Sequence, residues 1–282
     1  MTGLQHFILT RFNLLLWQKD KEGCKVRTTE WLEHRFNLFE QYCLPSLCNQ
    51  TCQGFEWIVL FDSSTPGVFK ERIEKCQTKC PQLIPVFVQP EEGRYFASIF
   101  KQEVVKRLNN PSKVITTYLD NDDALDIRFV EELQARAQTA SVGQFINYAD
   151  GYQYYTDYNY LLQIHYPRNH FISVVEDGNP ATIKTIYGFG SHYYIDKIAG
   201  VKIEVINNQP LWCEVIHEKN MGNDAYFLLG TKMINDVNVL RRDFAIDTVV
   251  KSGIGLYVLR FLPRYAKTFV RRVKYFLFGR KW

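Results

Sequence analysis

The sequence predicts an α/β fold in which a mostly parallel sheet is flanked by helices. Three observations favour this class. Apolar runs typical of buried strands alternate with helical segments over the first 125 residues. One run, residues 55–61, is almost continuously apolar, as expected for a parallel strand that is buried on both faces. The chain of 282 residues, 46% hydrophobic and 15% aromatic, is also long enough to enclose a large core.

The first half of the chain predicts four strands separated by three helices. The strands are expected at residues 5–10, 55–61, 83–88 and 114–119, and the helices at residues 29–47, 68–79 and 96–108. Thr28 or Thr29 is expected to cap the first helix. Because strands connected in this order pair in parallel, their carboxyl ends should meet along one edge of the sheet.

The second half predicts a different arrangement. A helix at residues 129–139 precedes a tyrosine-rich stretch, residues 144–166, whose alternation predicts antiparallel strands turning at 149–151 and near 156–159. The tyrosines either pack across neighbouring strands or form an aromatic wall for a sugar acceptor. Residues 220–230 lead from a polar loop into an apolar helix.

Charge is distributed unevenly along the chain. Nine of the 34 Lys and Arg residues follow Asp247, whereas none of the 30 acidic residues does. The remaining body is mildly acidic, which excludes nucleic acid as an expected partner. In residues 251–282 the basic residues alternate with large apolar ones. This tail predicts either an amphipathic helix in an anionic membrane interface or a basic helix packed on the protein body.

Cysteine usage and hydropathy predict a location. The seven cysteines contain no CxxC pair, which favours reduced thiols in a cytosolic protein over disulfides or a zinc site. No apolar run is long enough to span a membrane. Residues 1–20 make a poor signal peptide, since they lack a basic start and a small-residue cleavage site. We therefore expect a cytoplasmic protein, peripheral to the inner face of the membrane through its tail.

The acidic residues after the fourth strand carry the strongest functional signal. Asp120, Asp122 and Asp123 follow that strand directly, and carboxylates packed so closely repel one another. A Mg²⁺ or Mn²⁺ ion would offset the repulsion, and such ions usually also hold substrate phosphates. The alternative is an acidic turn in which Asp123 or Asp126 caps the next helix. Asp62 ends the second strand, so two acidic turns fall on the sheet edge where ligands bind, which favours a site.

Residues 1–125 resemble the nucleotide-binding half of the GT-A glycosyltransferases. The likeness rests on the strand ending at residues 10–13 and on the helix end at residues 44–51, which is followed by residues 55–62. It also includes Asp120-Asn121-Asp122, which resembles the DxD motif of that family. The sequence departs from the pattern by carrying only one acid at position 62 and by lacking the usual "ARN" near Arg94.

The whole chain is most similar to the bacterial rhamnosyltransferase family, a name that does not establish the sugar. This similarity rests in addition on residues 31–36 and 119–125. It implies a GT-A-like glycosyltransferase domain at residues 1–250, with the antiparallel acceptor side and catalytic half at 126–250. The basic helical tail at residues 251–282 would follow that domain.

The resemblance implies roles for the acidic residues. Asp120 would contact the ribose or the metal, Asp122 the metal, and Asp62 the base or the ribose. Asp123 would orient the other acids or cap a helix. Asp224 precedes an apolar helix and would be the general base of an inverting transfer, or simply the cap of that helix.

Three further residues are candidates, each with a structural alternative. Arg94 would reach a phosphate or be a surface arginine. Trp212 would stack on a sugar face or belong to the core. His217 would be a metal ligand or a solvated loop histidine.

The implied function is an inverting glycosyltransferase that depends on Mn²⁺ or Mg²⁺. It would move a sugar, rhamnose by the family name, from a nucleotide-sugar donor to a glycan or lipid-linked glycan acceptor in bacterial surface polysaccharide synthesis. One alternative is a nucleotidyltransferase, which should carry a Gly-rich basic loop where residues 11–17 stand. Another is a non-catalytic nucleotide- or glycan-binding protein with a degenerate site.

Overall fold

Two sheets organise the chain in the computed structural model. The structure describes residues 3–16, 26–207, 209–217, 231–256, 258, 266, 269, 270 and 273. The strands are β1 (Leu4–Arg11), β2 (Glu56–Asp62), β3 (Leu83–Val88), β4 (Lys113–Tyr118), β5 (Ala124–Leu125), β6 (Gln144–Tyr148), β7 (Asp150–Tyr155), β8 (Tyr160–His165), β9 (Ile172–Asp177), β10 (Lys202–Ile206), β11 (Trp212–Ile216) and β12 (Lys232–Met233). The helices are α1 (Thr29–Leu38), α2 (Leu44–Cys48), α3 (Gly67–Lys79), α4 (Phe96–Arg107), α5 (Phe129–Thr139), α6 (Val239–Phe244) and α7 (Ile254–Leu256).

The larger sheet has seven strands in the order β10-β6-β9-β4-β1-β2-β3. Strand β1 pairs in parallel with β2 and β4, and β2 pairs in parallel with β3. Strand β9 runs antiparallel to both β4 and β6. The predicted α/β class with a mostly parallel sheet is therefore confirmed. Both halves of the chain contribute strands to this one sheet.

The larger sheet is buried on both faces. On β1 and β2, Ile8 and Val59 belong to one apolar cluster, whereas Leu9 and Leu60 belong to the other. The first cluster includes residues of α1, α3 and α5, and the second includes residues of α4. Because successive strand residues point to opposite faces, a strand covered on both sides must be apolar throughout. This explains the unbroken apolar run in β2.

The first predicted helix forms with an irregular centre. Thr28 caps α1, since its hydroxyl accepts a hydrogen bond from Trp31 N at 3.2 Å. Residues Phe39–Cys43 form a π-helical turn between α1 and α2, a feature that the sequence pattern did not predict. Such turns are frequent at functional sites because they shift the register of the residues before and after them.

The sequence pattern missed one strand and predicted one wrong strand pairing. Ala124 and Leu125 form the short strand β5, which was not predicted and pairs with β11, whereas α5 begins at Phe129 as predicted. Strands β6 and β7 do not pair with each other. The chain instead passes at Ala149 from the larger sheet to the second sheet, whose order is β12-β8-β7-β11-β5. The antiparallel pairing of β7 with β8 agrees with the sequence prediction.

The crossing between the sheets is held by Trp212. Its indole ring lies so close to Gly151 that a Cβ atom built there would approach the ring to 2.2 Å. Its Nε1 donates a hydrogen bond to Tyr148 O at 2.7 Å. Burial of this large side chain between the two sheets therefore outweighs the local hairpin preference of the tyrosine-rich stretch.

The cysteines and the tail bear on the predicted location. The six cysteines within the described residues are free thiols. None of the helices described is long and apolar enough to cross a membrane. In the tail, Phe269, Val270 and Val273 are exposed.

A buried histidine in β1 makes stability depend on pH. His6 is 2% exposed, its Nε2 lies 2.8 Å from Thr117 Oγ1, and burial lowers its pKa from 6.5 to about 3. At a pH between about 3 and 6.5, His6 binds a proton in the unfolded chain but not in the folded chain. The free energy of unfolding should therefore fall by about 2 kcal/mol from pH 7.5 to pH 5 through this residue.

Urea unfolding at the two pH values measures this effect. The His6→Gln variant should lose that part of the acid sensitivity. His165→Gln, at a histidine whose side chain is 43% exposed, should retain it. Equal acid sensitivity in the wild type and in His6→Gln would show that His6 does not titrate as described.

Candidate functional site

The carboxyl ends of β1, β2 and β4 are tied together by two asparagines. Asn121 Nδ2 donates hydrogen bonds of 2.9 Å to the carbonyl oxygens of Arg11 and Phe12. Asn13 Oδ1 accepts a hydrogen bond of 3.0 Å from Asp62 N. The central residue of Asp120-Asn121-Asp122 thus fastens the acidic turn to β1. The flanking aspartates are thereby held at the edge of the sheet where ligands bind in folds of this kind.

Asp122 is bound by helix α1 and by the segment after β11. Its Oδ2 accepts hydrogen bonds from Arg35 Nη1 at 3.1 Å and His217 Nε2 at 3.0 Å. Burial alone would raise the pKa of Asp122, but Arg35 and His217 outweigh it and hold the pKa below its usual range. The Nδ1 atom of His217 in turn lies 3.4 Å from His34 Nε2. Asp122 is therefore an anion held by the Arg35 guanidinium and by a hydrogen bond from His217.

Asp123 is fully buried and does not cap a helix. Its Oδ2 lies 2.7 Å from His170 Nε2, and its Oδ1 accepts a hydrogen bond from Val215 N at 2.9 Å. Burial raises the pKa of Asp123. Burial alone would lower the pKa of His170, but the hydrogen bond with Asp123 outweighs it and raises that pKa to about 9. The pair therefore holds a proton at neutral pH.

Asp120 is the accessible acid of the group. Its side chain is 34% exposed, and its Oδ1 accepts a hydrogen bond from the Tyr118 hydroxyl at 2.9 Å. Arg11 Nη2 lies 3.8 Å from the same oxygen. Tyr118 and Arg11 therefore orient the carboxylate without enclosing it.

The acidic cluster carries its own counter-charges. Asp122 is paired with Arg35, Asp123 with His170, and Asp120 more loosely with Arg11. The repulsion expected from the sequence is thus largely offset by protein cations. Charge repulsion by itself therefore does not indicate a divalent cation, and the reason to expect one is the set of ligand atoms available.

Three side chains have ligand atoms close enough to hold a metal ion. One atom from each of Asp120, Asp123 and His170 lies within 4.8 Å of the others. Two carboxylates and one imidazole suit Mn²⁺, because imidazole favours transition metals and carboxylates favour hard cations. Since metal ligands must be deprotonated, binding would displace the proton shared by Asp123 and His170. The residues present therefore fit a divalent ion.

Comparisons with known proteins bear on the kind of enzyme. The profile of the family described as "Putative rhamnosyl transferase" matches residues 5–225. The chain belongs to this family. Membership places it among the glycosyltransferases as a class and agrees with the resemblance seen in the sequence. No curated protein matches the chain.

Three solved structures resemble the chain distantly. S. aureus TarS 1-349 has a TM-score of 0.43 at 11% identity, with 75% of this chain and 60% of that chain covered. The same fragment in complex with UDP has a TM-score of 0.45 at 10% identity, with 76% and 60% covered. The structure of 4-diphosphocytidyl-2C-methyl-D-erythritol synthase has a TM-score of 0.34 at 14% identity, with 74% and 90% covered. This chain thus spans 60% of the TarS fragment that it matches.

In this member of the rhamnosyl transferase family, both carboxylate oxygens of Asp62 contact protein groups, although Oδ2 accepts no hydrogen bond from the described residues. Its Oδ1 accepts hydrogen bonds from the backbone N of Ser64, at 2.8 Å, and from the Ser64 hydroxyl. Its Oδ2 lies 2.6 Å from Arg27 Nη2. Asp62 lies on the predicted edge of the sheet, but a base or ribose could bind its carboxylate only after displacing one of these partners.

Arg94 and Trp212 differ in their surroundings. Arg94 is exposed, and its guanidinium lies 4.7 Å from the centre of the Tyr95 ring. Trp212 is 1% exposed and stacks against Phe171 with ring centres 4.7 Å apart. The interpretation of Trp212 as a platform for a sugar is therefore wrong for this structure, because neither face of the indole is accessible.

The structure bears on His217 but not on Asp224, the general base predicted from the sequence. Asp224 lies outside the described residues. His217 is not a solvated loop histidine, because it is buried and contacts Asp122. The sequence proposed Asp120, Asp122 and His217 as metal ligands. The structure places His217 against Asp122, but the ligand atoms that lie close together are those of Asp120, Asp123 and His170.

Sequence reasoning missed three residues of this site. Arg35 and His170 lie 87 and 47 positions from their carboxylate partners, so spacing offered no signal for either. Glu214 is a further buried acid, whose Oε2 accepts a hydrogen bond from Gln153 Nε2 at 2.6 Å. Burial raises its pKa, although His170 and Gln153 oppose the shift. Its position on β11, next to the Val215 amide that binds Asp123, is visible only in the fold.

Proposed function

We propose that this protein is an inverting glycosyltransferase that uses a nucleotide-sugar donor and a glycan or lipid-linked glycan acceptor in bacterial surface polysaccharide synthesis. The grouping of Asp120, Asp123 and His170 at the carboxyl edge of the sheet, in a chain of this family, carries the proposal. The family description makes rhamnose the first sugar to test.

In this proposal Asp120, Asp123 and His170 bind a divalent ion, with Mn²⁺ preferred over Mg²⁺. When bound, the ion would supply positive charge for the diphosphate that departs from the donor sugar. Asp120 is the most accessible of the three groups, and Tyr118 orients its carboxylate. Asp122, held by Arg35 and His217, stabilises the turn on which Asp120 and Asp123 lie.

The transfer also needs a proton acceptor for the attacking hydroxyl. The acceptor oxygen would bond to the anomeric carbon while the bond between that carbon and the diphosphate oxygen breaks. Asp224, which lies outside the described residues, is the base proposed from the sequence, and the hydroxyl proton would go to its carboxylate. The nucleoside diphosphate would leave with the bonding electron pair.

The tail is proposed to hold the enzyme at the inner face of the cytoplasmic membrane. Nine basic and no acidic residues follow Asp247. Phe269, Val270 and Val273 expose apolar side chains among them. Apolar insertion combined with attraction to anionic lipid would place the site near a lipid-linked acceptor.

Thermal unfolding with a panel of ligands tests the proposed function. The midpoint should rise with one nucleoside diphosphate or nucleotide sugar, by an amount set by its occupancy, and the rise should be larger with Mn²⁺. Incubation of that donor with lipid-linked acceptors should then produce the free nucleoside diphosphate. A protein that shows no shift with uridine, guanosine or thymidine diphosphates or their sugars, with or without Mn²⁺, would not be a nucleotide-sugar transferase.

A further inference from the structure

Arg11, at the end of β1, lies in a box of aromatic rings beside Asp120. Its guanidinium carbon lies 4.7 Å from the centre of the Phe96 ring, 5.2 Å from that of Tyr187 and 5.7 Å from that of Tyr118. These three rings come from α4, β4 and the helical turn at Ile186–Phe189. Rings on several sides restrict the rotation of the side chain and attract its positive charge.

The hydrogen-bonding capacity of Arg11 is only partly used. Its Nη2 donates to the Tyr118 hydroxyl at 2.8 Å, and the guanidinium also interacts with the Tyr187 hydroxyl. Its separation of 3.8 Å from Asp120 Oδ1 is too long for a strong hydrogen bond. Its Nε is buried and has no hydrogen-bond partner among the described residues. A guanidinium has five N–H donors, so this one retains donors for another acceptor.

The position of Arg11 indicates the class of that acceptor. Asp120, its acidic neighbour, is one of the three groups that could hold a divalent ion. The side chain of Arg11 as a whole is 26% exposed, so it is not closed off from solvent, although its Nε is buried. A planar, permanently charged fork matches the oxygens of a phosphate group. A ligand that carries only a carboxylate or an amide has too little negative charge to need two neighbouring cations, whereas a diphosphate has enough.

We propose that Arg11 binds the diphosphate of the donor, beside the divalent ion that Asp120 helps to hold. This inference rests on the proposed function, because it assigns a second cation to the same ligand. Arg11 would contact phosphate oxygens directly, and Tyr118 would hold it in place. The sequence candidate for this role was Arg94, which is exposed and stacked on Tyr95.

Calorimetric titration with inorganic pyrophosphate, and with uridine and guanosine diphosphates, tests the proposal. Titrations are made in EDTA and again with Mn²⁺. Arg11→Met should weaken binding of pyrophosphate and of the preferred diphosphate by about tenfold to a hundredfold. Binding of the corresponding nucleoside, which has no phosphate, should not change. Arg11→Lys keeps the positive charge but not the planar pair of N–H donors, so its affinity for the diphosphate should lie between those of the wild type and Arg11→Met.

Arg136→Met is the matched control. Arg136 also has a buried Nε without a hydrogen-bond partner among the described residues, but it pairs with Glu204 at 3.1 Å and lies in the last turn of α5. Its replacement should leave binding unchanged. If the wild type binds a diphosphate and Arg11→Met and Arg11→Lys bind it equally well, the proposal for Arg11 fails alone. If the wild type binds neither pyrophosphate nor a nucleoside diphosphate, the proposed function fails with it.

Discussion

Replacing Asp120 by asparagine is expected to lower the rate of sugar transfer by about a hundredfold or more. Asparagine keeps the size of the side chain but removes the negative charge that attracts a divalent ion. Metal stabilisation of a leaving group is worth several kcal/mol, and each 1.4 kcal/mol is about a factor of ten in rate. Because the side chain is 34% exposed, the fold should survive the change.

Mn²⁺ titration and donor turnover should be measured on the same preparation of Asp120→Asn. The metal affinity and the turnover should fall together while the thermal midpoint without ligand stays within a few degrees of the wild type. Asp157→Asn removes an exposed carboxylate from the turn between β7 and β8 and serves as the control. Unchanged metal binding and turnover in Asp120→Asn would exclude Asp120 from the site.

Replacing Trp212 by alanine is expected to lower the free energy of unfolding by about 3–5 kcal/mol. The indole is fully enclosed between the two sheets, stacks on Phe171, and donates a hydrogen bond to Tyr148 O. Alanine would leave a large cavity and remove one of the two side-chain hydrogen bonds that Tyr148 O accepts, the other coming from Asn169 Nδ2 at 2.8 Å. Trp212→Phe should cost less, because it retains an aromatic ring against Phe171.

Urea unfolding of both variants, together with acceptor kinetics, separates a core role from a sugar-binding role. A core role lowers stability in the order alanine below phenylalanine below tryptophan. If Trp212→Ala were as stable as the wild type and had only a higher KM for the acceptor, the side chain would have to be accessible to sugar. Such a result would restore the interpretation made from the sequence.

Much of the fold could be predicted because its signals are local. The strand at residues 83–88 and the helix at residues 129–139 both have the bounds that periodicity predicts. The errors occurred where distant contacts override local preference. Ala124 and Leu125 became a strand because β11 pairs with them, and β6 separates from β7 because Trp212 packs against Gly151. Neither partner lies near enough in the chain to leave a periodic signal.

The site shows the same division. The position of the acids at the ends of β2 and β4 follows from the sequence, since strand order and parallel pairing place those ends on one edge. The sequence does not predict which side chains form the partners of each acid. His217 lies 95 positions from Asp122. Only the docking of α1, β9 and β11 against the acidic turn brings Arg35, His170 and His217 to it.

The sequence by itself therefore determined the α/β class, the mostly parallel sheet, the acidic edge and the family resemblance, because each is encoded in short patterns or their order. The tertiary structure decided that Asp122 is held by Arg35 and His217, that Asp123 shares a proton with His170, and that Asp120 is the accessible acid. It also placed Arg11 among aromatic rings and Trp212 in the core. These features depend on burial and on contacts between remote residues, which exist only once the sheets and helices have packed.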